Sequence, residues 1–250
     1  MNRIENEETR KLLDEAEANG KKYILLPKDG KDGGLFRIMA CRDFGIVKKG
    51  DVGGCVQSED CLSHDGNCWI GYYAKVYDMA KVKDNAIVDK CCELHNNAEV
   101  SGDARVIGHV FMYENSKVCE KAVVSESVEL RDNAVVKGTA HVTGHAFIID
   151  NAEISGDVVV CRKAVVRDNA KVHGNARVSG FALVGGEAEV FGRARVYDEA
   201  KVLGKAKVYD NGCVFGEAEV NECAVVKDSA EIYGAVRLVG NTVMGNVTIF

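Results

Sequence analysis

From Ala74 onward the apolar positions recur two apart and then six apart. Position 74 and every sixth residue after it carries a small or short side chain, most often Ala. Two places later, from Val76 to Met244, every hexad carries Val, Ile, Leu or Met. Apolar residues at i, i+2, i+6 and i+8 make no 3.6-residue stripe, so helix is excluded. Strand side chains alternate, which puts the first and third members of each Ala-x-Val triplet on one face. Gly or Asp then predominates two places further on, often followed by Asn, as in Asp84-Asn85, Asp132-Asn133 and Asp168-Asn169, and supplies a bend. Each hexad is therefore one short strand plus one corner. Equal strands joined by equal corners close into a triangular prism, three hexads to a coil, with coils stacked as parallel sheets about 4.8 Å apart. The run from Ala74 predicts about nine to ten coils, a rod on the order of 45 Å long. The phase is expected to hold to the end of the repeat, where "MGNVTIF" leaves the pattern.

Columns spaced by three hexads support the same period. Along one wall the outward residues run Lys81, Glu99, Lys117, Val135, Glu153, Lys171, Glu189 and Lys207, so opposite charges mostly stack on adjacent coils. The N-terminal segment differs. Residues 4 to 18 predict a short charged helix ended by Gly20, and "KKYILLPKDGKDGGLFRIMACRDF" predicts a hairpin with "KDGKDGG" as its turn. A solenoid needs its open sheet edges covered. Residues 1–50 are expected to form that cap and 51–250 the solenoid, an all-β class with one small helix.

Composition agrees with a thin core. The chain has 250 residues with 26 Gly, one Pro (Pro27) and 7% aromatic residues. A net charge of -6 with interspersed signs gives no footprint for double-stranded nucleic acid or an anionic membrane. No window reaches the roughly 18 apolar residues of a membrane span, and the polar opening does not look like a signal peptide, so a cytoplasmic protein with ten free thiols is expected.

The hexads resemble those of the hexapeptide-repeat left-handed β-helix superfamily, which includes trimeric acyltransferases, γ-class carbonic anhydrases and repeat-only proteins. The resemblance implies left-handed coiling, an exception to the usual crossover preference, and a homotrimer. In the acyltransferases the Gly or acid follows the aliphatic residue directly; here it comes one place later, as in Val178-Ser179-Gly180. Residues 36–78, "FRIMACRDFGIVKKGDVGGCVQSEDCLSHDGNCWIGYYAKVYD", are similar to the opening of the YdcK-like bacterial and phage β-helix proteins, through Asp43-Phe44, Gly53-Gly54, Leu62-Ser63, Gly66 and Cys68-Trp69-Ile70. Members of that group are mostly described as transferases on the basis of fold.

Transferases of the superfamily use a His general base at a subunit interface, which makes His109, His141 and His145 the catalytic candidates. None of the six His residues is expected on an insertion; His95 and His173 fall outward and His109 and His145 at corners, as ordinary surface imidazoles do. His109 and His145 have the spacing of two γ-class zinc ligands, but the third position is Asp150, so that site is not reproduced. Cys55, Cys61, His64 and Cys68 could hold a structural zinc, unless Cys68 packs inward as a small hydrophobe. No other cofactor is expected, and "VGGCV" and "GGLF" lack the partners of a nucleophile.

Outward residues Phe111, Tyr113, Phe147, Ile149, Val165, Leu183 and Leu203 share one wall, with Arg131 and Arg167 between them, and predict an oligomer interface. Tyr197, Phe215 and Tyr233 stack in another column, with Phe191 and Tyr209 on a neighbouring wall. Beside Arg177, Arg193 and Arg195 such rings could receive a nucleotide-like ligand. The leading expectation is a non-catalytic binding or structural module. The alternatives are an acyltransferase-like enzyme with an intersubunit His, and a phage-type protein that sequesters a small anionic or nucleotide-like ligand in intersubunit clefts.

Overall fold

Most Ala-x-Val triplets form a two-residue strand, a few extend to three or four residues as at Ile87–Lys90 and Arg105–Gly108, and every third strand pairs in parallel with the one a coil away. The computed structural model describes residues 7–26 and 34–250, and over them the chain winds into a left-handed parallel β-helix with three walls. Wall 1 carries Lys75–Val76, Phe111–Met112 and Phe147–Ile148; wall 2 carries Lys81–Val82 and Glu189–Val190; wall 3 carries Trp69–Ile70 and Arg177–Val178. The Ala and Val columns are fully buried, and the largest side chains wholly inside the regular coils are of the size of Leu94, Met112 and Ile148. Corner residues adopt a left-handed backbone, as at Asp132 (φ 57°), Asp150 (φ 59°) and Gly156 (φ 84°), which accounts for Gly and Asp at that place.

The corner between walls 1 and 2 carries two side-chain ladders. The Nδ2 group of Asn97 donates to Oδ1 of Asn115 at 3.2 Å, and the pattern continues through Asn133 and Asn151 to Asn169. One residue earlier, side-chain oxygens of Asp78, Asn96, Glu114, Asp132, Asp150 and Asp168 each accept the backbone N–H one coil on, ending at Gly186. On wall 2 the alternating column stacks in the expected register, but only Lys207 and Glu189 pair within it, at 3.1 Å. Glu99 and Glu153 are instead taken by Lys83 and Lys137 of the neighbouring column, at 3.1 and 2.8 Å.

The phase is broken at both ends. Cys55 pairs with Lys75 whereas Trp69 pairs with Ile87, so the first coil has two additional residues, between Leu62 and Trp69. His64 lies in that expanded corner, contrary to the expectation that no His sits on an insertion. In the last coil Val225 pairs with Thr242 and Glu231 with Thr248, one residue short of the earlier spacing. Val243 takes the inward place and Met244 is exposed, because the corner at Gly240-Asn241 omits the small buried residue.

The cap grows out of wall 1. Strands β1 (Tyr23–Leu26) and β2 (Phe36–Ala40) pair antiparallel, and β3 (Val52–Val56) pairs antiparallel with β2 and parallel with Lys75–Val76. Helix α1 spans Glu7–Ala18 and sets Leu13 against Met39, Cys41 and Val52. Residues 4–6 of the expected helix, and the expected turn apart from Gly34, lie outside the described residues. Lys49 ties α1 to the loop before β3 through Asp14 and Glu17, and those two hydrogen bonds hold its pKa above the ordinary lysine range. All ten cysteines are free thiols, and no described helix is long and apolar enough to cross a membrane.

Two core positions generate tests. Ser116 occupies the Ala column with its Oγ buried and without a hydrogen-bond partner among the described residues. Ser116→Ala is expected to raise the unfolding free energy by about 1–2 kcal/mol in urea titration; an unchanged or lower value shows that the hydroxyl has a partner. Cys92, at the same hexad position on wall 1, has its thiol pushed up to about 11 by burial. A raised thiol favours the neutral folded form, so this contribution is fully present below the ordinary value near 9 and is lost as pH rises through about 11. The wild-type urea midpoint should therefore fall between pH 8 and 10.5 more steeply than that of Cys92→Ala; equal slopes would remove Cys92 as a cause.

Candidate functional site

The apolar column of the oligomer candidates is a real column. Phe111, Phe147, Val165 and Leu183 share the first outward row of wall 1, with Glu129 between the two Phe residues. Tyr113, Ile149 and Leu203 lie in the second row, two residues along. Phe147 is 41% exposed and the others are half-buried. Polar pairs bound the row: Lys75 meets Glu93 at 3.4 Å toward the cap, and Arg237 meets Glu219 at 3.2 Å toward the C-terminus.

Aromatic ladders occur on all three walls. On wall 3 Tyr197, Phe215 and Tyr233 stack at 4.8 and 4.9 Å, and Phe250 extends the stack at 5.6 Å. On wall 2 His173, Phe191 and Tyr209 stack at 4.9 and 4.7 Å. On wall 1 His95 lies between Tyr77 and Tyr113 at 4.4 and 5.0 Å, with the Arg131 guanidinium over Tyr113. His95 and His173 are thus members of stacks rather than isolated surface imidazoles. Arg177 and Arg195 face each other on adjacent coils of wall 3, and among the described residues no carboxylate pairs with either.

The three catalytic candidates do not share one pocket. His141 is exposed on wall 3, and His109 and His145 are exposed at the corner between walls 3 and 1, two coils apart. His145 alone lines a shallow groove there, with Thr143, Cys161, Arg162, Lys163 and Phe181.

Nor do the zinc candidates converge. Among the described residues no three His, Cys, Asp or Glu groups are placed to hold a metal. Cys55 belongs to β3, Cys61 is buried beside the Asp78 carbonyl, and His64 and Cys68 serve the cap. The Lys22 backbone N–H donates to Nδ1 of His64 at 3.1 Å, so the imidazole proton sits on Nε2, 2.8 Å from Glu59. The His64 ring stacks on Tyr23 at 4.3 Å, and the single Tyr23 hydroxyl proton is shared between the Glu59 and Leu62 carbonyls, 2.8 and 2.7 Å away. Burial pushes that hydroxyl far above the ordinary phenol range. Lys22 is wholly buried, and its Nζ donates to the Cys68 and Asp65 carbonyls and to Cys68 Sγ at 3.2 Å. Burial lowers the pKa of Lys22, and burial raises that of Cys68.

One cleft had no sequence signal. Between the loop at residues 45–51 and the first coils of wall 3 lies a cleft of about 420 Å³, lined by Ile46, Val47, Trp69, Tyr72, Tyr73 and Ile87, with Asn67, Asn85 and Asp89 as its polar groups. Phe44 meets the Trp69 ring edge-on at 5.5 Å, and the Arg37 guanidinium stacks on Tyr72 at 4.3 Å while donating to the Gly53 and Tyr72 carbonyls. Gly53 and Gly54 let β3 approach: a Cβ on Gly53 would meet Trp69 and Ile38.

Lys22→Met keeps the packed stem but leaves the buried Cys68 carbonyl without the Lys22 donor, and should lower stability by about 1–3 kcal/mol. Hydrogen exchange is expected to accelerate first in β1, β2 and β3; acceleration spread evenly over the coils would deny Lys22 its role in seating the cap. No protein-family model matches the chain, and no curated protein matches it significantly. Among solved structures, LpxA from Acinetobacter baumannii, determined at 1.4 Å, is similar at 10% identity over 64% of this chain and 67% of that chain, with a TM-score of 0.32.

Proposed function

We propose that the protein is a rigid, non-catalytic β-helical module that assembles through wall 1, as a homotrimer. The observation that carries this is the row from Phe111 to Leu183, apolar on four of its five coils with the Glu129–Arg131 pair on the other, and bounded at both ends by ion pairs. Protein interfaces have this anatomy, an apolar centre with a polar rim, whereas a solvated wall would be polar throughout, as most of wall 2 is. The number three rests on the hexad resemblance, and kinship with the YdcK-like group on the resemblance of residues 36–78. Within the module the coils serve as spacing: equal strands hold surface groups at fixed intervals, and apart from the first coil the corners extrude no loop.

A second role, capture of a small anionic ligand, is favoured by one observation. Arg177 and Arg195 bring like charges together on adjacent coils, which is unfavourable unless an anion joins them, and the Tyr197 stack lies on the same wall.

Native mass spectrometry tests the assembly. The wild-type protein is expected at three chain masses, and the double substitution Phe147→Asp and Ile149→Asp at one. An unchanged mass in the folded variant would reject wall 1 as the interface. Turnover of an acyl-CoA by the wild type, abolished by His145→Ala with assembly intact, would replace the module with an acyltransferase-like enzyme whose base is His145.

A further inference from the structure

The cleft beside the cap differs in chemistry from every outward column. No Lys, Arg or His side chain lines it, and its acid, Asp89, receives no side-chain hydrogen bond among the described residues. We propose that this cleft binds a small organic cation, an alkylated ammonium group carried on an apolar or aromatic body, between Trp69 and Tyr73 with Asp89 as counter-charge. The site does not depend on self-association through wall 1.

Four observations support it. The volume, about 420 Å³, lies in the range of small-molecule pockets. Trp69 and Tyr73 line it, and the faces of such rings attract a cation through their quadrupole. Tyr72 is already occupied by Arg37, Trp69 lines the cleft with the small part of its ring that Phe44 and β3 leave exposed, and Tyr73, which meets Tyr72 edge-on at 5.1 Å, is the most exposed ring. Tyr73 stays 69% and Ile46 73% exposed, apolar surface that a bound ligand would cover.

The fourth observation concerns Gly71. Its place in the wall 3 column is taken on the next coil by Asp89, and a Cβ on residue 71 would collide with the Asp89 carboxylate. The missing side chain is what allows that carboxylate to lie in the cleft. A carboxylate left without donors in a partly enclosed, ring-lined space favours a cation and repels an anion. The sign is opposite to that of the ligand expected for the Arg177 and Arg195 pair, so the two sites are separable by charge.

Trp69 is the sole tryptophan of the chain, so its fluorescence reports on this cleft directly. Phenyltrimethylammonium, benzyl alcohol and benzoate would be titrated at matched ionic strength, with calorimetry to separate binding from collisional quenching. The expected result is a saturable change with phenyltrimethylammonium, weaker binding of benzyl alcohol and none of benzoate. Asp89→Asn should weaken the ammonium affinity at least five-fold with the folded coil content unchanged by circular dichroism. Tyr73→Ala, which removes an exposed ring and no core contact, should also weaken it and serves if Asp89→Asn does not fold. No saturable change with the ammonium, equal binding of benzoate, or unaltered affinity in a folded variant overturns the proposal.

Discussion

Each coil takes its strand hydrogen bonds from the coil beside it, and this single requirement organises the molecule. The Lys75 N–H reaches the Cys92 carbonyl and the Lys81 N–H the Ala98 carbonyl, both at 2.9 Å, and the same step repeats along every wall. A two-residue strand has no stability of its own. It persists because its neighbour has the same length and its corner bends in the same way. Equal coils then force equal positions into columns, so any residue type tolerated once can be repeated with gain: Asn over Asn, ring over ring, Lys over Glu. The outward rows are consequences of that register.

The walls, the corners and the apolar row of wall 1 were legible because they obey one period. The Ala and Val columns could be read directly, and stacking of Tyr197, Phe215 and Tyr233 followed from counting three hexads. The same count applied to His95 finds Tyr77 and Tyr113, and applied to His173 finds Phe191, so the signal lies in the column and not in the imidazole taken alone. What could not be read lies where the period fails. The corner holding His64 is two residues longer than the rest, and the fold of that corner depends on Lys22 and Tyr23 arriving from a separate hairpin. A lysine before a strand reads as solvated; here its ammonium end is enclosed by carbonyls the sequence does not place beside it. The cleft at Trp69 arises from the same junction, since it needs the cap loop and the first coils together. At the other end, the omission of one residue near Gly240 looks like unbroken phase because Met244 is as apolar as Val243.

Cap and coils thus use different physics. The coils are held by repetition among nearest neighbours, with small side chains and hydrogen-bonded columns. The cap is held by particular contacts, Leu13 on Met39 and Lys49 on the acids of α1 among them. The expanded corner and the ring-lined cleft sit where these two regimes meet, and there the chain departs furthest from its repeat.

The carboxylate ladder at the corner of walls 1 and 2 has a direction, because each side chain reaches forward to the amide of the coil that follows. Each coil therefore offers these acceptors only to the coil on its C-terminal side, so the ladder is a template in one direction alone. The ladder stops at Gly186, which has no side chain to pass on. Pulled from its C-terminal end, the rod peels coil by coil through the last third, and on this edge it meets a step in mechanical resistance where Asp168 grips Gly186.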